Sequence, residues 1–357
     1  MRVVIRVDSS TTIGSGHLMR CLTLAERLRR EQDAEVLFVC RDLPGNLVAL
    51  VSQRGFGLSL LTRVEKNDSL TGYAAWLTVS QERDAAETIN VISEMLRESD
   101  AEICSNKSKG VDLLVVDSYA LDKTWESRMR PYVRKLFVID DLANRKHDCD
   151  VLLDQNFYID TAKRYDGLVP VRCRMLLGPT HALLREEFYE IDRHRRKRPG
   201  ELRNILVFYG GSDLTNETYK AIRAILQSGL TAIQVHVVVG DNNPYKNKIK
   251  DTCLSRGFIK YHEQVDDMAK LMNAADLMLG AGGTTTWERC YLGLPSLVTA
   301  IADNQVQICK DCHVAGLIDY LGFYDVVSEQ DIAERLLEMD ANKLKRMEEL
   351  CLQIFAE

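Results

Sequence analysis

The chain begins with the stretch Met1–Cys21, MRVVIRVDSSTTIGSGHLMRC, in which an apolar run leads into a loop rich in Ser, Thr and Gly. Val3–Val7 is short and rich in β-branched residues, which predicts a buried strand. From His17 to Gln32 the apolar residues recur with helical spacing, which predicts a helix. A strand that passes through a glycine loop into a helix is typical of the first unit of a parallel α/β sheet.

The same alternation continues along most of the 357 residues, so we expect parallel sheets covered by helices. In the first half, the predicted strands are Val3–Val7, Glu35–Cys40, Leu58–Leu61, Leu113–Val116, Lys135–Ile139 and Val151–Leu153, and the predicted helices are His17–Gln32, Gly45–Arg54 and Asp84–Glu98. In the second half, the predicted strands are Asn204–Phe208, Gln234–Val239, Leu277–Leu279 and Ser296–Thr299, and the predicted helices are Asn216–Gln227, Val265–Ala275, Thr284–Leu292 and Asp331–Phe355.

The segment Arg193–Gly200, RHRRKRPG, interrupts this pattern with a run of charges that ends in Pro-Gly, as in a solvated linker. We therefore predict an α/β protein of two Rossmann-like domains that face each other across a cleft. The first covers residues 1–192, residues 193–200 form the linker, and the second covers residues 201–357. The last helix packs either within the second domain or back onto the first.

Composition excludes some classes of function. The chain is 46% hydrophobic and 27% charged with a formal net charge of −6, so we expect no nucleic-acid partner, which would require a basic face. No stretch reaches the roughly 18 apolar residues of a membrane span, and the first strand is too short for a signal peptide. We expect a cytoplasmic monomer without membrane insertion. The ten cysteines are scattered, and Cys309 and Cys312 lack a second pair at zinc spacing, so we interpret them as ordinary buried thiols.

The first candidate site is the loop from Asp8 to Arg20. Its Gly14 and Gly16 allow a tight turn and a close approach to a ligand, and the helix start favours an anionic group. Because the positive end of a helix disfavours imidazolium, His17 is expected to stay neutral and to serve as a base. A purely structural histidine that packs against the sheet is equally compatible with this stretch. The dinucleotide pattern G-x-G-x-x-G fails because position 19 is Met19.

Two further glycine loops follow predicted strands. Gly210, Gly211 and Ser212 suit a diphosphate cradle, although a tight strand-to-helix turn explains them as well. The second loop contains Gly282, Gly283, Thr284 and Thr285, and Glu288 lies about one turn into the next helix. There its carboxylate is in position for a vicinal diol such as a ribose. The alternative for Glu288 is compensation of the helix N-terminus, worth a few tenths of a kcal/mol.

Neutral amides form a fourth group. Asn304 and Gln305 follow another predicted strand, next to Asp303. Amides in this position can bind sugar hydroxyls or N-acetyl groups. Alone, Asp303 and Asn304 are also typical helix caps.

Taken together, these motifs closely resemble the UDP-2,4-diacetamido-2,4,6-trideoxy-β-L-altropyranose hydrolases of pseudaminic acid biosynthesis, which are relatives of the MurG-type glycosyltransferases. The resemblance covers nearly the whole chain. The residues that carry it are R-V-D-S-S and I-G-S-G-H-L-x-R-C near the N-terminus, L-T-V-S-Q-E-R-D-A, V-V-D-S-Y-A-L-D, D-Q-N, A-L-L-R-E-E-F, Y-G-G-S-D, A-G-G-T-T-T-W-E-R-C-Y-L-G-L-P and D-N-Q.

The resemblance implies a GT-B fold and hydrolysis of a UDP-sugar at its anomeric carbon, with neither a metal nor another cofactor. It implies that His17 is the base that activates water, that Asn304 is a substrate-binding asparagine, and that Tyr119 matches a family tyrosine at the end of a central strand. We count Tyr119 and Asp8 with His17 as candidate catalytic residues, and the sequence leaves open whether Asp8 positions the attacking water. The residues that would hold the substrate are Gly14, Gly16, Arg20, Gly210, Gly211, Ser212, Gly282, Gly283, Thr284, Thr285, Glu288 and Gln305. UDP is a good leaving group, so the pair of acids that glycosidases use is not needed.

One departure from the family concerns the sugar pocket. Asp117-Ser118-Tyr119 stands where the family often has Asp-His-Tyr, so the substrate is either the family's sugar or a related one. The segment Ser105–Gly110 is an unusual insert before the same strand. Two alternatives to the hydrolase remain: a GT-B glycosyltransferase that uses a UDP-amino sugar and a non-water acceptor, and a non-catalytic UDP-sugar-binding protein, which would not need His17.

Overall fold

The chain folds into two compact α/β units. The structure is a computed structural model that describes residues 1–65, 69–100, 110–193, 200–265 and 267–356. Unit 1 comprises Met1–Gln155 and Asp160–Leu183, and unit 2 comprises Asn156–Ile159 and Leu184–Glu357.

Unit 1 is built on a parallel sheet whose central strands are apolar and buried. Val3, Val4, Ile5 and Val7 are fully buried, as expected for strands that helices cover on both faces. The strands are β1 (Arg2–Val7), β2 (Glu35–Arg41), β3 (Gly57–Leu61), β4 (Leu113–Asp117), β5 (Leu136–Ile139), β6 (Val151–Asp154) and β7 (Arg174–Leu177), in the order β3-β2-β1-β4-β5-β6-β7. The helices are α1 (Gly16–Gln32), α2 (Ala49–Gln53), α3 (Gln81–Asp100) and α4 (Lys123–Met129), with 3₁₀ turns at Gly72–Leu77, Arg130–Tyr132 and Pro179–His181.

Strand order decides which loops of unit 1 meet. After β1 the chain builds the sheet towards β3 and then returns to add β4 on the other side of β1. Val7 is paired with Asp117, so the loops that follow β1 and β4 leave the sheet side by side. In open parallel sheets such a reversal is the usual place for a ligand.

A buried layer of charge fixes α3 to this sheet. Arg6 donates to both Asp8 and Asp84, at 2.6 and 2.7 Å, and Arg41 donates to Asp84 at 2.7 Å. The Trp125 indole N–H donates to the same Asp84 carboxylate at 3.0 Å. Burial alone would raise the pKa of Asp84, but the two arginines outweigh it and lower that pKa. The first turn of α3 is therefore held firmly against β1 and β2.

Unit 2 repeats the plan with six parallel strands. They are β8 (Asn204–Phe208), β9 (Gln234–Val239), β10 (Ile259–Glu263), β11 (Leu277–Ala281), β12 (Ser296–Ala300) and β13 (Asp319–Phe323), in the order β10-β9-β8-β11-β12-β13. The helices are α5 (Glu186–Tyr189), α6 (Glu217–Ser228), α7 (Lys246–Leu254), α8 (Met268–Ala274), α9 (Thr285–Tyr291), α10 (Asp303–Val314), α11 (Glu329–Leu337) and α12 (Ala341–Gln353). The reversal again lies between adjacent strands, here β8 and β11.

The structure confirms the class and most of the predicted elements. The helix predicted over Gly45–Arg54 is shorter, Ala49–Gln53, because backbone and side-chain hydrogen bonds around Asn46 form turns there instead. The single helix predicted over Asp331–Phe355 is two helices, since the Asp340 side chain accepts from the Lys343 N–H and starts α12.

The predicted domain boundary lies in a region where little is described. Residues 194–199 of the predicted linker and residues 105–109 of the insert lie outside the described residues, so both stay predictions. The compact units divide earlier, between Leu183 and Leu184. The last helix, α12, is part of unit 2, where Leu352 and Leu350 pack at Gly293 and Gly316.

Two smaller findings concern the cysteines and the helices. Cys309 and Cys312 lie on α10 and are both buried, as expected for ordinary thiols.

Within the described part of the chain, every helix is too short or too polar to cross a bilayer.

Candidate active site and nucleotide loops

His17 lies in the first turn of α1, beside the end of β4. Its Nδ1 is 2.6 Å from Oδ1 of Asp117, the last residue of β4. An aspartate in this position accepts the Nδ1–H and leaves the lone pair on Nε2. Burial alone would raise the pKa of Asp117, but Arg20 and His17 outweigh it and hold the pKa well below its usual range. The carboxylate is therefore ionised and holds the orientation of the imidazole. Nη2 of Arg20 lies 3.1 Å from the same Nδ1.

Arg20 extends this pair into a ring of contacts. Its Nε and Nη2 donate to the two oxygens of Asp117, each at 2.6 Å, and its Nη1 donates to Asp141 at 3.1 Å. The Tyr119 hydroxyl donates to the other oxygen of Asp141. The Tyr119 ring meets His17 edge to face, with ring centroids 4.6 Å apart. Burial and the charge of Asp141 raise the pKa of Tyr119 well above its usual value, so the phenol is a neutral donor.

Two aromatic side chains from the 3₁₀ turn Gly72–Leu77 complete this cluster. The Trp76 ring centroid is 6.0 Å from that of His17 and 5.5 Å from that of Tyr119. Tyr73 lies against Tyr119 at 5.0 Å. Both Tyr73 and Trp76 are half-buried. The polar group His17–Asp117 is therefore bordered by an aromatic wall, which sequence reasoning did not predict.

The remaining predicted residues of unit 1 shape the loop before α1. Gly14 has a φ of +79°, a conformation that favours glycine, and its N–H donates to the Ser10 carbonyl at 2.9 Å. Gly16 is the first residue of α1. Asp8 accepts from Arg6 and from the Arg41 N–H, both at 2.6 Å. These contacts tie Asp8 to the buried charge layer, and its proposed action on water stays a prediction.

The contacts of Arg20 in the structure are with two carboxylates of unit 1. Its side chain is 4% exposed, and its guanidinium is engaged by Asp117 and Asp141. These contacts make Arg20 part of the support of His17. The predicted binding of substrate by Arg20 stays a prediction.

In unit 2 the two glycine loops lie at the ends of adjacent strands. Gly210, Gly211 and Ser212 follow β8, and the turn from Gly282 to Thr285 follows β11. Because Gly280 is paired with Phe208, both loops leave the sheet at the same edge. After the first loop, Asp213 accepts from the N–H groups of Glu217 and Thr218, which anchors the loop to α6.

Glu288, one turn into α9, is paired with an arginine. Arg185 donates to its two carboxylate oxygens at 2.7 and 3.1 Å. The guanidinium also lies over the Phe188 ring, 5.1 Å from its centroid. Each carboxylate oxygen can accept a second hydrogen bond, so the pair leaves acceptor capacity for a diol. Arg185 belongs to the A-L-L-R-E-E-F stretch and was not among the predicted site residues.

The predicted amides lie at the start of α10, next to the second glycine loop. The Gln305 carbonyl oxygen accepts from the Ile301 N–H at 2.9 Å. A Cβ added at Gly282 or Gly283 would meet Gln305 atoms at 3.5 and 3.8 Å. Asn304 is half-buried on the same turn of helix. The structure thus brings Gln305 against the loop.

Asp117 and Asp141 are the main residues that sequence reasoning missed. Both were visible as acids at the ends of apolar strands, Leu113–Val116 and Lys135–Ile139. In a parallel sheet, acids at strand ends gather at one edge, which is the signal that could have found them.

The fold places the protein in a structural class. The two parallel α/β units have the GT-B fold. They are similar to MurG of Acinetobacter baumannii, at 12% identity and a TM-score of 0.61 over 99% of this chain and 94% of that one. They are also similar to Phytolacca americana UGT2 complexed with UDP-2-fluoro-glucose and pterostilbene, at 13% identity and a TM-score of 0.65 over 99% and 94%.

Sequence comparison gives more particular relatives. Residues 204–350 match the glycosyltransferase family 28 C-terminal domain. An uncharacterized protein of Methanocaldococcus jannaschii is 24% identical over 88% of this chain and 57% of its own length, so this chain spans little more than half of that relative. A UDP-2,4-diacetamido-2,4,6-trideoxy-β-L-altropyranose hydrolase of Campylobacter jejuni is 26% identical over 78% of this chain and 84% of its own length. The chain is a distant relative of nucleotide-sugar enzymes.

Proposed function

We propose that this protein hydrolyses UDP-2,4-diacetamido-2,4,6-trideoxy-β-L-altropyranose at the anomeric carbon and releases UDP and the free sugar. The observation that carries the proposal is the His17–Asp117 pair, with Nδ1 2.6 Å from the carboxylate. A histidine whose Nδ1–H donates to a carboxylate carries its lone pair on Nε2, which is suited to take a proton from water. The similarity to the Campylobacter jejuni hydrolase supports the choice of substrate.

In the proposed reaction, Nε2 of His17 removes a proton from a water molecule as its oxygen attacks the anomeric carbon. The bond between that carbon and the UDP oxygen breaks, and UDP leaves with the electron pair. Asp117 stabilises the imidazolium that forms, and Arg20 and Tyr119 hold this carboxylate and the ring in place. A positioned base of this kind contributes roughly 10²–10⁴-fold to the rate.

The loops of unit 2 take the UDP moiety in this proposal. The glycine turns at Gly210–Ser212 and at 282–285 bring backbone N–H groups to the diphosphate, and Glu288 binds the ribose diol. Asn304 and Gln305 are proposed to contact the acetamido groups.

The test is the release of UDP from this substrate in EDTA, with no acceptor present. We expect UDP and free sugar to appear in equal amounts. His17→Asn should remove turnover and spare UDP affinity, whereas Glu288→Ala should weaken UDP binding. Retained turnover in the His17 variant, or unchanged UDP affinity in the Glu288 variant, would remove that residue from its proposed role.

A glycosyltransferase is the second candidate, favoured by the match of residues 204–350 to a glycosyltransferase domain. It would use the same UDP loops, and an acceptor hydroxyl would replace water at His17. Ser118, which stands where the family often has His, concerns the identity of the sugar, and its Oγ accepts from the Ala120 N–H at 3.3 Å. UDP binding without release of sugar would favour the transferase or a different UDP-sugar.

A further inference from the structure

Arg289 on α9 is a buried cation that no proposed role uses. It is 0% exposed. Its Nη1 donates to the Ala281 carbonyl at 3.2 Å, and its Nη2 donates to the Thr286 hydroxyl at 2.8 Å. A Cβ added at Gly280 would lie 2.9 Å from Nη1. The guanidinium therefore lies directly behind the turn that joins β11 to α9, which we call the β11–α9 turn (residues 281–285).

Arg289 differs from the other fully buried arginines in its partners. Arg6 and Arg41 are both paired with Asp84. For Arg289, the described residues offer no carboxylate within 4 Å, since it takes part in none of their ion pairs. Its Nε, like that of Arg41, has no hydrogen-bond partner among them. Burial lowers the pKa of this guanidinium.

Thiols near Arg289 do not supply the missing negative charge. Burial raises the pKa of Cys309 to about 12 and that of Cys312 well above its usual value. A hydrogen bond with Cys290, together with burial, raises the pKa of Cys351. These thiols are therefore neutral near pH 7, and the positive charge behind the turn is not compensated from their side.

Burying a charge without a counter-charge is costly, so such a group is expected where a ligand brings the opposite charge. We propose that Arg289 is a positioning residue that strengthens the binding of a nucleoside diphosphate at the β11–α9 turn through its charge. This inference rests on the proposed function for the identity of the ligand, UDP. It gives a role to Arg289, a residue of the A-G-G-T-T-T-W-E-R-C-Y-L-G-L-P motif to which the resemblance assigns none.

Two physical effects allow the charge of Arg289 to act on a bound phosphate through the backbone of the β11–α9 turn. A charged donor at the Ala281 carbonyl polarises the peptide group that this carbonyl shares with the Gly282 N–H, which makes that N–H a stronger donor. In addition, a charge in the low-dielectric interior acts on a phosphate over several ångströms with little screening. Both effects require the phosphates, and neither involves the uridine.

The test compares UDP and uridine binding, by calorimetry, in the wild-type protein, Arg289→Met, Arg289→Gln and Arg289→Lys. We expect the Met and Gln variants to lose about tenfold or more in UDP affinity and to bind uridine like the wild type. The Lys variant keeps the charge and should recover most of the UDP affinity. Thermal unfolding without ligand shows whether each variant is folded. If the Met variant fails to fold, the Lys and Gln variants still separate charge from hydrogen bonding.

The outcomes distinguish the two proposals. Equal UDP affinity in the wild type and the Gln variant would overturn the role of Arg289 and leave the proposed function standing. A parallel loss of UDP and uridine affinity would also overturn it, because it would mean that the turn is merely distorted. A wild-type protein that binds neither UDP nor uridine would overturn the proposed function, and the inference with it.

Discussion

Asp117 makes the central contact of unit 1, because it accepts from both His17 and Arg20 within 2.6 Å. An aspartate in this position holds one nitrogen of the imidazole as a donor and stabilises the charge that forms when the other nitrogen takes a proton. An asparagine has the same shape, but its amide presents a donor group where the carboxylate only accepts. The substitution Asp117→Asn therefore tests the proposed chemistry separately from the shape of the site.

We predict that Asp117→Asn lowers kcat for UDP-sugar hydrolysis by about 100-fold or more, because the neutral amide cannot stabilise the imidazolium and can present an N–H to His17. UDP affinity should be unchanged, since the proposed nucleotide residues all belong to unit 2. The readout is steady-state release of UDP, together with calorimetric titration of UDP.

Loss of stability is the main complication for this variant, because Arg20 keeps only Asp141 as an ion-pair partner. Removing one member of a buried ion pair costs about 3–5 kcal/mol. The fraction of folded protein is therefore measured by circular dichroism and used to normalise kcat. A normalised kcat equal to that of the wild type would remove Asp117 from the reaction.

At the scale of elements, the β11–α9 turn is held tightly between strand and helix. A Cβ added at Gly282 would be 2.2 Å from Sγ of Cys309 on α10, which no real pair of atoms tolerates. Gly16, at the start of α1, has no atom within 4 Å of an added Cβ. The two glycines are thus a matched pair for a test of packing.

We predict that Gly282→Ala lowers the free energy of unfolding by about 1–3 kcal/mol through overpacking. Gly16→Ala should change it little. The double variant Gly282→Ala/Cys309→Ala should regain part of the loss, because the clashing sulfur is removed. Urea denaturation measures all four proteins, and an equal loss in the single and double variants would contradict the packing argument.

The strands differ in how well they could be predicted from the sequence. Central strands such as Arg2–Val7 and Gln234–Val239 were predicted because both of their faces are buried and their composition is apolar. The strands that were not predicted, Arg174–Leu177, Ile259–Glu263 and Asp319–Phe323, are edge strands. Edge strands are half-exposed and mix polar with apolar residues, so their pattern is weak.

The residues of the candidate site could also be predicted only where the sequence signal was local. His17 and the glycine loops are local motifs, so the sequence alone suggested them. The partner of His17 depends on the pairing of β1 with β4, two strands more than 100 residues apart in the chain. Local patterns do not contain strand order, and Asp117 was therefore missed.

At the scale of the whole molecule, the chain enters unit 2 twice. Asn156–Ile159 belongs to unit 2, where the Asn156 side chain accepts from the Trp287 indole N–H at 2.9 Å. The chain then returns to unit 1 until Leu183. A boundary deduced from linker composition cannot reproduce such a double crossing, since the return depends on contacts far apart in sequence.

We predict that the stability of unit 1 decreases above neutral pH. His147 is buried, with Nδ1 2.7 Å from Glu126 and Nε2 3.7 Å from Asp140. Burial alone would lower the pKa of His147, but these two carboxylates raise it to about 9. Protonated His147 therefore stabilises the fold fully below about pH 6.5, its unfolded pKa, and this contribution is lost as the pH rises through about 9.

The expected loss is up to about 3 kcal/mol across that range. It is measured by urea unfolding from pH 6 to pH 10 in a Trp287→Phe background, in which the remaining tryptophans, Trp76 and Trp125, both belong to unit 1. His147→Gln should be less stable at pH 6 and should show a flatter profile. A wild-type profile as flat as that of the variant would mean that His147 carries no charge in the folded protein.

In the proposed reaction, water attacks the anomeric carbon with His17 as the base, and the most direct test is hydrolysis of the UDP-sugar in ¹⁸O-labelled water. We expect cleavage of the carbon–oxygen bond, so the released UDP keeps its normal mass, and His17→Asn should release almost none. UDP that carries ¹⁸O would show attack at phosphorus and would contradict the proposed reaction.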